Sequence, residues 1–229
     1  MHNATTVCTV CALLLSSVTL LAQVSGEEIL KRVEENFPGV QDYTVVLDVT
    51  TNVERLNIPP MQVKMFFKQP DKFHFESDGF ALLPREGLAF SASKTLSRFV
   101  IVNTDEDTLL QRRQFRLMLR PKDARAKVTS LLVYIDQGLW KPTRVVSSFF
   151  GGRTITATFA YERQGEYLMP SLLTVDLAAG ALGDTSDQAA EMDTPQMARS
   201  PIPRKGTVTI RYSDYEINTG LDDEIFNKK

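Results

Sequence analysis

The stretch that decides the fold is residues 61–77, which read Met61-Gln62-Val63-Lys64-Met65-Phe66-Phe67-Lys68-Gln69-Pro70-Asp71-Lys72-Phe73-His74-Phe75-Glu76-Ser77. Met61, Val63, Met65 and Phe67 alternate with Gln62, Lys64 and Lys68, and only Phe66 breaks the pattern. After Gln69-Pro70-Asp71 the alternation resumes, Phe73 and Phe75 on one side, Lys72, His74 and Glu76 on the other. A period of two describes strands with one dry face. Proline donates nothing to a ladder and presets a turn, so Pro70-Asp71 marks the reversal between two antiparallel strands. Met61, Met65, Phe67, Phe73 and Phe75 make the dry face large and adaptable. Such a lining suits a surface that repacks around a greasy ligand, and it equally suits the filled core of a sandwich.

The same period extends in both directions. Tyr43, Val45, Leu47 and Val49 face inward on a strand that Asn57-Ile58-Pro59-Pro60 ends. Phe115, Leu117 and Leu119 alternate with Gln114, Arg116 and Arg120; residues 128–135 turn apolar on both faces. Asp136-Gln137-Gly138 is a turn, and Gly151-Gly152 is a two-residue hairpin signal. Ile155, Ala157, Phe159 and Tyr161 alternate with Thr154, Thr156 and Thr158. Residues 167–177 make a strand interrupted near Pro170, and Val208, Ile210 and Tyr212 close the sheet. Residues 91–103 suit either a short helix or a strand, and 80–84 either a buried strand or a lid over a cavity. One helix is clear. Ser25 and Glu28 form a capping box, Ile29, Leu30, Val33 and Phe37 share a face, and Pro38-Gly39 stops the run. The fold class is therefore mainly β: a large curved antiparallel sheet of about nine to eleven strands, because so many rarely stay flat. One or two helices cover its concave face.

Residues 7–21 are apolar or small and no charged residue precedes Glu27. That length is short for a membrane span and right for a secretory signal, with small residues offering cleavage after Ala22 or Gly26. Residues 1–26 are thus read as a signal peptide and 27–229 as one domain. Cys8 and Cys11 lie inside the signal without the strand–helix setting of a redox motif, so the mature chain carries no cysteine. A net charge of −2 gives no basic excess for nucleic acid. Residues 178–205 are rich in Ala, Gly, Asp and Pro, have no period, and read as a flexible insertion loop or a gate.

Catalytic chemistry finds few candidates. His74 is the mature chain's single histidine and sits on the polar side of a strand. Asp105-Glu106-Asp107 and Asp222-Asp223-Glu224 read as solvated carboxylate runs without the spacing of a calcium loop. Gly151-Gly152 lacks the setting of a phosphate cradle, and Trp140 reads as a packing anchor. The residues point to a binder of something apolar rather than an enzyme, with no catalytic or metal-binding residue and no cofactor.

The order of parts resembles the outer-membrane lipoprotein-sorting (LolA-like) family of periplasmic carriers. The likeness rests on a signal peptide and helix before the first strand and on Lys68-Gln69-Pro70-Asp71-Lys72-Phe73 in the hairpin. It rests further on Leu119-Arg120-Pro121-Lys122, Tyr134-Ile135-Asp136 with Trp140, and the closing run from Tyr215 to Phe226. The chain departs from the family at Gln69, where the family carries arginine, and in the 178–205 insertion. The resemblance implies an incomplete barrel with one to three helices on its concave side. Its cavity would hold the acyl chains of a lipid or lipoprotein, and the carrier would work as a periplasmic monomer between membrane-bound loading and accepting proteins. Val45, Leu47, Met65, Phe67, Phe73, Phe75, Leu132, Ile155 and Phe159 are the expected cavity residues. Ile29, Val33, Phe80, Leu82 and Leu83 are the expected lid or gate. The rival expectations are a lipid-sensing regulatory or interaction protein on the same scaffold, and a filled structural domain.

Overall fold

The computed structural model describes residues 24–36, 39–54, 57–77, 91–109, 111–178 and 205–227. Its elements in chain order are α1 (Gly26–Glu35), β1 (Asp42–Val53), β2 (Met61–Lys68), β3 (Lys72–Glu76), α2 (Ala92–Arg98), β4 (Phe99–Leu109), β5 (Arg112–Pro121), β6 (Val128–Asp136), β7 (Pro142–Phe149), β8 (Thr154–Gln164), β9 (Tyr167–Ala178) and β10 (Gly206–Ile217). The strands form a single ten-stranded sheet in the order β3-β2-β1-β10-β9-β8-β7-β6-β5-β4. Every neighbouring pair is antiparallel. The sheet is not closed, since β3 and β4 pair on one side only.

The hairpin expected from residues 61–77 forms with β2 and β3 in direct register, Met65 opposite Phe75 and Phe67 opposite Phe73. Residues 91–103 resolve the sequence ambiguity by doing both things in turn, a seven-residue helix and then a strand. The strand contains Asp105, Glu106 and Asp107, so this acidic run is not a loop. Arg116 on β5 reaches Asp105 at 2.8 Å and Asp107 at 3.6 Å, and Arg113 reaches Glu106 at 2.7 Å. Arg113's hydrogen bond holds the Glu106 carboxyl below its ordinary range. The Gly151-Gly152 connection is longer than a two-residue hairpin: Phe150–Gly152 makes a 3₁₀ turn, with both glycines at positive φ (80° and 77°).

Curvature follows from the register. Bulges interrupt the β1–β10, β4–β5, β6–β7 and β8–β9 ladders, and each adds local twist. Laid flat, ten strands would span about 43 Å at the usual spacing. Yet α2, about 10 Å long, touches both ends of the sheet. It runs directly into β4, accepts a hydrogen bond from Lys122 on the Leu96 carbonyl at 2.7 Å, and places Lys94 3.0 Å from Asp71 in the β2–β3 turn. The sheet is therefore curled until opposite corners meet across one short helix.

Helix α1 begins as its capping box predicts, with Ser25 Oγ accepting from the Glu28 amide at 3.2 Å. Its buried face, Ile29, Leu30 and Val33, packs on Leu117, Leu119, Val133 and Ile135 of β5 and β6. Gly26 lets the helix start lie close to β4, because a Cβ there would sit 2.8 Å from Ile101 Cδ1 and Thr104 Oγ1. The far end is bolted to the β6–β7 turn. Asn36 Nδ2 donates to the Leu139 carbonyl, and Lys141 Nζ donates to the Asn36 carbonyl at 2.7 Å. Burial lowers the Lys141 ammonium to about 8.

Candidate functional site

The concave face divides into two apolar clusters. One is the α1 core just described; the other spreads over β3, β2, β1, β10, β9 and β8. Cross-strand partners lie on the same face, so the register reads out the second cluster row by row. One row runs Phe75–Met65–Val45, and another runs Phe73–Phe67–Tyr43. A third crosses five strands as Met61–Val49–Ile210–Leu173–Phe159, and a fourth joins Val208, Val175 and Ala157. Val45, Leu47, Met65, Leu173 and Ile210 are fully buried. Phe67, Phe73, Phe75, Ile155 and Phe159 around them are half-buried. The face thus has a dry centre and a greasy rim.

All but one of the expected cavity residues lie in this cluster. The exception is Leu132. It pairs with Met118 on β5 and Val146 on β7, one residue out of step with Leu131 and Val133, and so belongs to the convex face. In a run apolar on both sides the sequence does not choose the face; the neighbouring ladders do. Ile29 and Val33, expected in the lid, are buried in the α1 core against β5 and β6. Phe80, Leu82 and Leu83 lie outside the described residues, as do residues 1–23 of the expected signal peptide 1–26 and residues 179–204 of the expected insertion.

Several residues of the site were not expected. Tyr43, Tyr161, Tyr212 and Tyr215 are all pushed well above the ordinary phenol range by burial, and charge repulsion between neighbouring phenols adds to this, from Tyr43, Tyr212 and Tyr161 on Tyr215, from Tyr43 on Tyr212 and from Tyr212 on Tyr161. Tyr215, Tyr43, Phe67 and Phe73 form an aromatic run with ring centres 5.7, 4.9 and 5.0 Å apart. Tyr161 donates to the Pro142 carbonyl and Tyr215 to the Pro170 carbonyl, each at 2.7 Å. Alternation in β1, β8 and β10 was the available clue to them.

The rim beside the hairpin is held by the tail. Asp42, 3% exposed, accepts from the amides of Thr219 (2.9 Å), Gly220 (3.2 Å) and Leu221 (3.3 Å). Gly220 sits at φ 75°, where glycine is free of strain. Asn218 adopts φ 58° and clasps the loop before β1, accepting from the Gln41 amide and donating to the Gly39 carbonyl. Beyond them Asp223 bridges Lys68 at 2.7 Å and Lys72 at 2.9 Å, and these two hydrogen bonds pull its carboxyl down to about 2. Gln69 ties the hairpin turn to the same loop through Val40's carbonyl at 2.6 Å. The closing motif is thus a clasp on the mouth of the sheet.

Elsewhere, Asp136 organises the turn that anchors α1. Burial raises its carboxyl, but the Leu139 and Gly138 amides and Arg112 outweigh this and leave it low. Trp140, at φ 51°, packs 5.4 Å from Phe115 beneath Arg32, and with Arg32, Glu35 and Asn36 it lines an open recess of about 220 Å³. His74 lies on the opposite face of β3 from Phe73 and Phe75, its ring 5.8 Å from Phe66 and its Nε2 3.6 Å from Glu76. Among the described residues, no group of three or more His, Cys, Asp or Glu side chains is placed to hold a metal ion. Nor is any helix among them long and apolar enough to cross a membrane.

No protein-family model matches the sequence, and no curated protein matches it. Solved structures do. A domain described as an outer membrane lipoprotein-sorting protein from Vibrio parahaemolyticus is 14% identical with a TM-score of 0.56, the alignment covering 88% of this chain and 96% of that one. A DUF1329 family protein from Desulfovibrio piger is 10% identical, TM-score 0.55, over 88% of this chain and 95% of that one. A LolA superfamily protein from Nitrosomonas europaea is 13% identical, TM-score 0.50, over 90% and 99%. At these identities the likeness shows the fold. The chain has the LolA-like fold of outer-membrane lipoprotein-sorting proteins.

Proposed function

We propose that this chain is a periplasmic carrier that shields the acyl chains of a lipid or lipoprotein, serving outer-membrane lipoprotein sorting. It is a binding protein and not an enzyme, a monomer that meets membrane-bound loading and accepting proteins. The observation that supports this most is the six-strand apolar face with a fully buried centre and a half-buried rim of phenylalanines. Helix α1 is committed to the other half of the sheet. Each methylene taken from water contributes about 0.8 kcal/mol, so a sixteen-carbon chain gains on the order of 10 kcal/mol there. Methionine and phenylalanine walls can repack between filled and empty states. Export fits cleavage after Ala22, which leaves Ser25 to cap α1; cleavage after Gly26 would remove that cap.

The experiment is to purify the protein from its native host, extract it with organic solvent and identify co-purifying lipid by mass spectrometry. Stoichiometric acyl lipid is the expected result; a lipid-free protein that also fails to take up added lipid overturns the reading. A second reading, a lipid-sensing interaction protein, draws on exposed Val100, Val102 and Met118 on β4 and β5 (44, 47 and 37% exposed). A stable protein complex in the same extract, with lipid altering its affinity, would favour that reading.

A further inference from the structure

Tyr212 stands apart from the other tyrosines of the apolar face. It is 7% exposed, pairs with the fully buried Leu47, and its hydroxyl has no hydrogen-bond partner among the described residues. The neighbouring hydroxyls of Tyr161 and Tyr215 are both spent on backbone carbonyls. Native proteins seldom leave a buried hydroxyl unpaired, since the lost hydration is not recovered. We propose that the Tyr212 hydroxyl is a polar anchor for cargo, donating a hydrogen bond to the ester carbonyl of an acyl lipid whose chain lies along the apolar rows. The inference rests on the carrier reading and names the chemical class of its ligand.

The surroundings choose the ester. Register places Leu47, Val49 and Ile210 beside Tyr212, all apolar; the charged Asp48 and Arg211 alternate to the other face. A phenol kept protonated by burial has one proton to donate, and an acyl ester brings an acceptor for it without adding a buried donor of its own. A free carboxylate placed here would lose its hydration with no cation at the neighbouring register positions of this face, whereas an ester carbonyl loses little and gains one bond. From Tyr212 to Gly206 the strand runs about 20 Å, over Ile210 and Val208, which leaves a long apolar track for the chain.

The test compares three ligands of similar chain length, methyl palmitate, palmitate and heptadecane, as competitors for a polarity-sensitive fluorescent probe. Wild-type protein and Tyr212→Phe are run side by side. In the wild type the ester should displace the probe at about five- to tenfold lower concentration than the alkane, the worth of one neutral hydrogen bond. In Tyr212→Phe that advantage should shrink to less than twofold. With a ¹³C-labelled ester carbonyl, the infrared stretch should move to lower frequency in the wild type and less in the variant. Equal binding of ester and alkane by the wild type, or an ester advantage that survives in Tyr212→Phe, overturns the proposal. Tightest binding by palmitate also overturns it, in favour of a fatty acid. If none of the three displaces the probe, it is the carrier reading that fails. Should the variant not fold, the wild-type ester-to-alkane ratio and the carbonyl stretch decide alone.

Discussion

Replacing Asp42 with asparagine tests whether the tail is a structural clasp. The two side chains match in shape, so packing is preserved and only the hydrogen-bond pattern changes. One carboxylate oxygen accepts from Thr219 and Gly220 at 2.9 and 3.2 Å, and the other from Gly220 and Leu221 at 3.2 and 3.3 Å. Asparagine keeps one acceptor and turns an NH₂ group toward at least one of these amides. Bonds to a charged group are worth about 1.5–3 kcal/mol each and an orphaned buried donor costs about 1–3. With Asp42 only 3% exposed, water recovers little. Asp42→Asn should therefore lose about 2–4 kcal/mol. Urea unfolding, followed by circular dichroism, reads this as a fall in midpoint of about 1–2 M at a slope of about 2 kcal/mol/M. Amide exchange at residues 219–221 should speed up in parallel. A midpoint change under about 0.25 M with unchanged exchange would show that the tail merely lies on the rim.

Four further outcomes follow from the same contacts. Gly26→Ala puts a methyl group 2.8 Å from Ile101 and Thr104, and should lower stability by about 1–3 kcal/mol in thermal melts; an unchanged melting point would mean that α1 shifts freely on β4. Tyr212→Phe should stabilise the lipid-free protein by about 1 kcal/mol, because it removes an unpaired hydroxyl; a loss of stability would reveal a partner for that hydroxyl. Stability should rise gently from pH 8 to 10, where the unfolded chain holds the Lys141 proton more tightly than the folded one. Above pH 10 it should fall by up to about 1.4 kcal/mol per pH unit for each of Tyr43, Tyr161, Tyr212 and Tyr215, since unfolded phenols ionise there and the buried ones do not; tyrosinate absorbance appearing before loss of ellipticity would contradict this. The Asp223 contribution is present above the ordinary carboxylate range and lost as pH falls toward about 2. In a Lys68→Met, Lys72→Met double variant its carbon-13 carboxyl titration should move back up, and a titration left near 2 would deny the bridge.

Much of the fold was legible because alternation leaves little choice. The β2–β3 hairpin, β10 and the Ser25 cap form where side-chain period, turn residues and capping chemistry all agree. Strand β4 was hidden by its own charges. Asp105-Glu106-Asp107 has poor strand propensity, and the arginines that make it tolerable come from β5, across a turn. Leu132 shows the matching limit in the candidate site: within Leu131-Leu132-Val133 either face can be dry, and pairing with Met118 and Val146 settled it. Tyr212 was legible as an inward residue but its unpaired hydroxyl was not, because partners come from distant strands. Asp42, next to an alternating run, gave no hint of a tail some 177 residues away.

The open seam between β3 and β4 explains how one sheet can be both rigid and able to take up cargo on the proposed reading. The strands at the seam cannot zip together easily: β3 has five residues, β4 has eleven, and α2 stands between their corners. Among the described residues, the Lys94–Asp71 pair ties that corner across the seam, its side chains 57 and 51% exposed, with the Lys94 ammonium also 6.0 Å from the centre of the Phe73 ring. Pairs so exposed contribute about 0–1 kcal/mol. The β1–β10 and β8–β9 ladders, by contrast, carry the fully buried rows at Val45, Leu47, Leu173 and Ile210. Displacing the hairpin at α2 thus costs far less than disturbing the middle of the sheet. The acyl gain of about 10 kcal/mol exceeds that latch many times over, so loading would be limited by exposing Phe67, Phe73 and Phe75 to water while the seam is apart. On the proposed reading, a membrane or partner that covers those three rings during transfer would remove that barrier, and this is the physical reason a docking partner would be needed at each end of the route.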